Sequence, residues 1–189
     1  MNRIDCASCE GHACKGEDLS QAPSFCPRLT AADALEAADE VRRSDPDVAR
    51  LNEVARGVEH TGYRTWPRVQ ELVEFGKRMG IKRVGIAFCV GLRQETRSLV
   101  EILESHGFEV HSVACTVNGG CNPVGQALTL AAAETELNVV MGLCLGDDML
   151  FNRFSKAPTT TLVVKDRVTC HNPAGPLFNR YWRRTLLGK

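Results

Sequence analysis

This sequence lacks an excess of charge of either sign: across 189 residues, Lys plus Arg and Asp plus Glu both number 23. Nucleic-acid and acidic-membrane surfaces are built on a basic excess, so the balance argues against both partners. Long apolar runs are missing too. No stretch reaches the roughly 18 residues that a membrane span requires. The opening residues, through Arg3, Ile4, Asp5 and Cys6, show no apolar leader, so the expected location is the cytoplasm. There is no internal repeat and no low-complexity tract. No Gly-x-Gly-x-x-Gly follows a strand pattern, which removes the dinucleotide-binding fold. No Ser/His/Asp arrangement stands out.

Cysteine, by contrast, is abundant, with nine in the chain. Disulfide-built miniproteins carry more, about 8–10% of their residues. A soluble chain of this length also buries a core without covalent staples. The thiols therefore call for metal binding, redox chemistry or catalysis. They fall into two sets: Cys6, Cys9, Cys14 and Cys26, then Cys89, Cys115, Cys121, Cys144 and Cys170. None lies between Pro27 and Phe88.

Three regions are expected. Residues 1–29 have no sustained period and are rich in Gly, Ser, Asp and Cys. Such a segment buries too little apolar surface to order itself, and a metal is the simplest fastener. Residues 30–80 read as helical. Thr30 is the expected N-cap of a first helix, with Asp33 in capping-box spacing. Ala34, Leu35, Ala38 and Val41 form its apolar stripe. A second helix starts at Pro46 behind Asp45, and a third starts at Pro67 and ends at Gly80.

Residues 81–189 read as an α/β core. The near-continuous apolar run from Arg83 to Val90 suits a strand buried on both faces. Further strands are expected over Phe108–Cys115, Asn138–Leu145 and Thr160–Lys165. Helices are expected over 92–106, Pro123–Glu136 and 148–155. This βαβαβαβ order predicts a four-stranded parallel sheet with right-handed crossovers, strand order 2-1-3-4, and flanking helices. The basic, aromatic tail from Arg167 to Lys189 is expected to pack as a closing strap.

The first thiol set has the pattern Cys6-x2-Cys9-x4-Cys14-x11-Cys26-Pro27. Thiolates are soft ligands that select zinc or iron–sulfur. Only the first pair has the spacing of a zinc knuckle. Uneven spacing that ends in Cys-Pro matches the ligand runs of cubane clusters. A [4Fe–4S] cluster is the expected occupant and zinc the alternative, with His12 as an alternative ligand inside the run.

In the second set, Cys89, Cys115 and Cys144 end the first three expected strands. Cys121 precedes Asn122-Pro123, the N-cap and first residue of a helix. Strand C-termini of an open parallel sheet share one edge, and ligands bind in that crevice at the switch point. Cys115 and Cys144, two strands apart, are expected at about 10 Å, which suits a cluster better than a single zinc ion. A lone cysteine in an apolar strand is usually a small buried hydrophobe; four on one edge point to a second cluster site. Cys170, with His171, either reaches the crevice or packs. Lys165, Asp148 and His171 are the candidate catalytic residues. Lys165 would bind an anionic substrate or donate a proton, while Asp147 and Asp148 also suit a helix start. Gly120-x4-Gly125-Gln126 has the outline of a phosphate loop. It lacks the Lys and the Ser or Thr of such loops, and Pro123 removes an amide donor.

These residues together resemble a family of small cysteine-rich bacterial and archaeal proteins. The resemblance lies in Cys6-Ala7-Ser8-Cys9, His12-Ala13-Cys14, Pro23-Ser24-Phe25-Cys26-Pro27, Gly85-Ile86-Ala87-Phe88-Cys89, Cys121-Asn122-Pro123, Gly142-Leu143-Cys144, Val164-Lys165-Asp166-Arg167-Val168 and His171-Asn172-Pro173. It covers nearly the whole chain and implies a metal-binding protein of otherwise unknown function. The expectation is an iron–sulfur protein with one N-terminal [4Fe–4S] cluster and a second at the sheet edge. It would act on a small sulfur- or oxygen-bearing substrate. The alternative is a non-catalytic zinc or cluster carrier, or a thiol redox sensor. A small-molecule substrate or a redox partner protein is expected, with no nucleic acid and no membrane.

Overall fold

The computed structural model describes residues 3–11, 13–16 and 18–189. They form two compact units, Met1–Arg56 and Gly57–Lys189. Among the described residues, no helix is long and apolar enough to cross a membrane.

The second unit contains strands β1 (Arg83–Phe88), β2 (Glu109–Ala114), β3 (Leu137–Met141) and β4 (Thr159–Val163). All pair in parallel, in the order β2-β1-β3-β4. This is the sheet the sequence predicts. β1 and β3 are central, and every residue but Arg83 is buried, whereas no residue of the edge strands β2 and β4 is fully buried. The near-continuous apolar runs follow from that position, since a central parallel strand has no solvent face.

Alternation along the strands sorts the core into two layers. Val84, Ile86, Phe88, Val139 and Met141 pack with Leu72, Val73, Leu99, Leu103 and Phe108. Those partners bring in α4 (Arg68–Met79) and α5 (Arg93–Ser105). Ala87 and Val140 pack instead with Ala127, Leu130, Leu143 and Phe151, which bring in α6 (Pro123–Ala132) and α7 (Leu145–Phe154). Asn138 is the polar exception within β3. It is buried, its Oδ1 accepts from Thr135 Oγ1 at 2.8 Å, and its Nδ2 donates to Ser155 Oγ at 2.8 Å. Gly85 beside it leaves the room: a Cβ there would overlap Asn138 Oδ1.

Phe88 is the register partner of both Ala114 and Met141, so three strands end at one level. Several boundaries differ from the sequence reading. β3 stops at Met141 because Gly142 turns the chain at φ +64, and Cys144 is the N-cap of α7 rather than a strand end. β4 likewise ends at Val163, before Lys165. α6 ends at Ala132. Beyond it, Glu136 Oε2 accepts the N–H groups of Lys82 and Arg83, each at 2.8 Å. The tail is not a packed strap. It forms short helices α8 (Gly175–Phe178) and α9 (Arg180–Leu186), and Leu177, Phe178, Tyr181, Leu186 and Leu187 are exposed.

The first unit holds α1 (Pro27–Thr30), α2 (Ala32–Ser44) and the start of α3 (Pro46–Gly62), which continues beyond Arg56. Asp45 Oδ1 accepts the N–H groups of Asp47 and Val48 at 2.9 and 3.2 Å, as its capping role predicts. Thr30 does not cap α2. It ends α1, and its Oγ1 donates to Cys26 O at 3.1 Å. The α2 stripe is not buried either: the helix has no buried residue, and Leu35 and Val41 are exposed. A stripe records helical period, but burial needs a partner surface, and a unit this small supplies little.

Candidate functional site

The hydrogen-bond ladder of the sheet runs one residue beyond its strands. Cys89 N–H donates to Met141 O at 3.0 Å, and Cys115 N–H to Phe88 O at 2.8 Å. Both cysteines are thereby fixed at the C-terminal edge. Asn122 N–H donates to Cys115 O at 2.8 Å, closing the intervening loop and returning Cys121 to Cys115. Cys144 arrives from β3 through the Gly142 turn; its carbonyl accepts Asp148 N–H at 2.8 Å. Gly142 suits that turn doubly, since its φ is positive and a Cβ there would overlap Leu92.

The thiols lie close enough to act on one another: Cys89 packs against the cluster that contains Cys115, and Cys115 influences the ionisation of both Cys89 and Cys121. Two backbone donors of one turn also face the sulfurs: Gly91 N–H bonds Cys89 Sγ, and Val90 N–H donates to Cys115 Sγ at 3.4 Å. Lys165 bonds Cys89 Sγ. Arg167 Nη2 donates to Cys144 Sγ at 3.4 Å.

These contacts set the thiol chemistry. Burial is the largest influence on Cys89 and works against ionisation. Gly91 N–H, the Lys165 ammonium and the Cys115 thiol together outweigh it, holding Cys89 below the ordinary thiol value. Cys121 moves the other way, pushed up first by the charge of Cys115 and its hydrogen bond, then by Asp147, burial and Cys144. Arg167 is raised, chiefly by its bond to Cys144 and that sulfur's charge, with smaller attractions from Cys89 and Cys121.

The loop after β4 aims Arg167. Asp166 Oδ1 accepts the N–H groups of Val168 and Thr169 at 2.8 and 3.0 Å. Asp166 N–H donates to His171 Nδ1 at 3.2 Å, and His171 N–H returns to Asp166 O at 2.9 Å. Hydrogen bonds from Thr169 and Val168 hold the Asp166 carboxyl below its usual value. Cys170 and His171 both sit at positive φ, +52 and +63, and Cys170 is exposed. The structure thus places His171 as a tie within this loop. Asp148 is pushed up by burial, opposed by a 2.9 Å bond from Asn152 Nδ2.

The first thiol set lies in the other unit. Cys6 and Cys14 are exposed in short 3-10 turns, Cys6–Ser8 and Ala13–Lys15. Cys9 is half-buried, and buried Cys26 is the N-cap of α1. His12 lies outside the described residues. Among the described residues, no three His, Cys, Asp or Glu side chains are arranged to hold one metal ion.

Two participants were not identified from sequence. Arg167 lies in the Val164-Lys165-Asp166-Arg167-Val168 motif of the resemblance, but nothing in the sequence gave it a role. Gln126, in the outline of the phosphate loop, is fully buried. Its Nε2 donates to Val113 O at 2.7 Å and Phe88 O at 3.2 Å, tying α6 to the strand ends that carry Cys89 and Cys115.

A family model described as a protein of unknown function, DUF1847, matches residues 26–120 and 116–162. The match takes in Cys26 and all of Cys89, Cys115, Cys121 and Cys144. It leaves out Cys6, Cys9, Cys14, Lys165 and Arg167. An uncharacterized protein of Methanocaldococcus jannaschii, MJ0455, is 44% identical over 156 residues, covering 73% of this chain and 80% of the relative. No solved structure matches. The chain belongs to the DUF1847 family, whose function is unknown.

Proposed function

We propose that the sheet edge is a soft-metal centre, an iron–sulfur cluster held by Cys89, Cys115, Cys121 and Cys144. Cys6, Cys9, Cys14 and Cys26 would hold a second, [4Fe–4S] centre. One observation carries the reading for the edge: Cys89 and Cys115 follow facing residues of neighbouring strands, and the Asn122 N–H bond to Cys115 O returns Cys121 to the same place. Ordinary core cysteines would occupy separate apolar pockets. Crowded thiolates repel one another, and a cation relieves that repulsion.

The surroundings suit such a group. Backbone N–H donors meet two sulfurs, as cluster thiolates require. Four thiolates around a doubly positive centre leave a charge of minus two, which Lys165 and Arg167 would neutralise. For the N-terminal set the support is ligand type and spacing. When bound, a cluster supplies electron transfer, or Lewis acidity at an iron left open by a thiol. Lys165 and Arg167 would then orient a small anionic, sulfur- or oxygen-bearing substrate.

The test is iron, zinc and acid-labile sulfide analysis of the full chain purified without oxygen. Bound iron with sulfide is the expected result, reduced by about half in Cys115→Ser and separately in Cys9→Ser. A chain that binds neither metal after anaerobic reconstitution refutes the reading. Zinc without sulfide replaces it with the zinc-carrier alternative.

A further inference from the structure

We infer that Cys89 and Cys115 form a dithiol–disulfide couple, giving the chain a thiol–disulfide exchange activity toward low-molecular-weight disulfides. The couple belongs to the metal-free edge and does not depend on the metal reading.

Its basis is the register. Phe88 pairs with Ala114, and the ladder continues through Cys115 N–H to Phe88 O at 2.8 Å. Cys89 and Cys115 are therefore the next facing positions on neighbouring strands. Strand spacing puts their Cα atoms about 5 Å apart, inside the roughly 4.4–6.8 Å that a disulfide spans. Cys89 also packs against the apolar cluster that contains Cys115. Bond formation would join positions that the sheet already holds side by side.

Access and charge divide the roles. Cys115 is only 3% exposed, whereas Cys89 is half-buried. Of these two, an incoming disulfide therefore meets Cys89, which shares the space over Gly91 with the Lys165 ammonium. Cys89 thiolate attacks one sulfur of the disulfide RSSR. A Cys89–SR bond forms, the S–S bond of RSSR breaks, and RS− leaves and takes up a proton. Cys115 thiolate then attacks Cys89 Sγ, displacing the second RS−, which is protonated in turn. The two thiol protons end on two RSH molecules. The protein dithiol is oxidised by two electrons, and RSSR is reduced by two. Val90 N–H donates to Cys115 Sγ at 3.4 Å, which holds the resolving sulfur at the strand end beside Cys89.

The competing partner for Cys115 is Cys121, which the Asn122 N–H bond to Cys115 O brings back beside it. The experiment separates the two. The full chain, freed of metal by a chelator under reducing conditions and checked by circular dichroism, is exposed to glutathione disulfide without oxygen. It is then quenched with acid, alkylated and mapped by peptide mass. A Cys89–Cys115 cross-link is the expected product. Cys115→Ser should instead accumulate a glutathione adduct on Cys89, about tenfold above the wild-type level. Cys121→Ser should leave the cross-link intact. A Cys115–Cys121 cross-link, or adducts on Cys121 and Cys144 with Cys89 and Cys115 both alkylated, overturns the inference. Because metal is absent throughout, neither outcome depends on whether the edge binds a cluster.

Discussion

Gln126 offers the sharpest test of how the thiol edge is built. The side chain is fully buried, and its Nε2 serves two strand carbonyls, yet its Oε1 has no partner among the described residues. Each neutral hydrogen bond contributes about 1 kcal/mol net, while an unpartnered buried acceptor costs about 1–3 kcal/mol. The two contributions nearly cancel. Gln126→Leu keeps most of the volume, gives up both bonds and removes the stranded oxygen. Its stability should fall within about 1 kcal/mol of wild type. Gln126→Ala makes the same polar exchange but opens a cavity between α6 and the sheet. It should lose about 2–4 kcal/mol. Urea unfolding under reducing conditions, followed by circular dichroism, measures both. Equal losses for Leu and Ala would refute the reasoning. They would mean that polar contacts rather than filling dominate, and that Oε1 is satisfied in solution.

Removing the ammonium in Lys165→Met should raise the Cys89 thiol in the metal-free chain and slow its alkylation at neutral pH about three- to tenfold, read by peptide mass. Gly142→Ala should destabilise by about 2 kcal/mol or more in thermal melts, because it combines positive φ with overlap on Leu92. Asp166 has a folded-state value below the unfolded one, so its contribution is complete above about pH 4 and is lost as pH falls through the lower folded value. Amide exchange at Val168 and Thr169 should therefore quicken, relative to intrinsic rates, across that acid window and nowhere higher.

The sheet was legible because its signals are local and agree with one another. Apolar runs, Gly and Pro punctuation and helix-length connections recur in βαβ order, and the chirality rule leaves few topologies. Boundaries were less legible where apolar residues continue through a turn. Met141, Leu143 and Leu145 alternate as a strand would, and Leu143 is buried, but Gly142 has already reversed the backbone. Only the positive φ reveals the break, and a glycine within a strand pattern announces it ambiguously. That turn makes Cys144 a helix cap within reach of Arg167, rather than a strand residue.

The same distinction explains how far the site could be read. Cys89 and Cys115 sit where strands end, so position along the chain was enough to place them on one edge. Cys121 joins them only because the loop closes through Asn122 N–H, and Arg167 only because Asp166 and His171 fold the chain back on itself. Such placements depend on hydrogen bonds between residues with no periodic signature. The N-terminal thiols show the opposite limit. Their spacing is suggestive, yet ligand spacing constrains reach without supplying the packing that orients side chains. In the described residues Cys6 and Cys14 occupy separate exposed turns. A bound centre would have to organise that segment, because a metal site absent from the unfolded chain contributes its binding energy to folding. Metal should therefore protect residues 1–29 from protease while leaving the preformed sheet edge little changed. Equal protection of both regions would show that the edge, too, is assembled by its ligand.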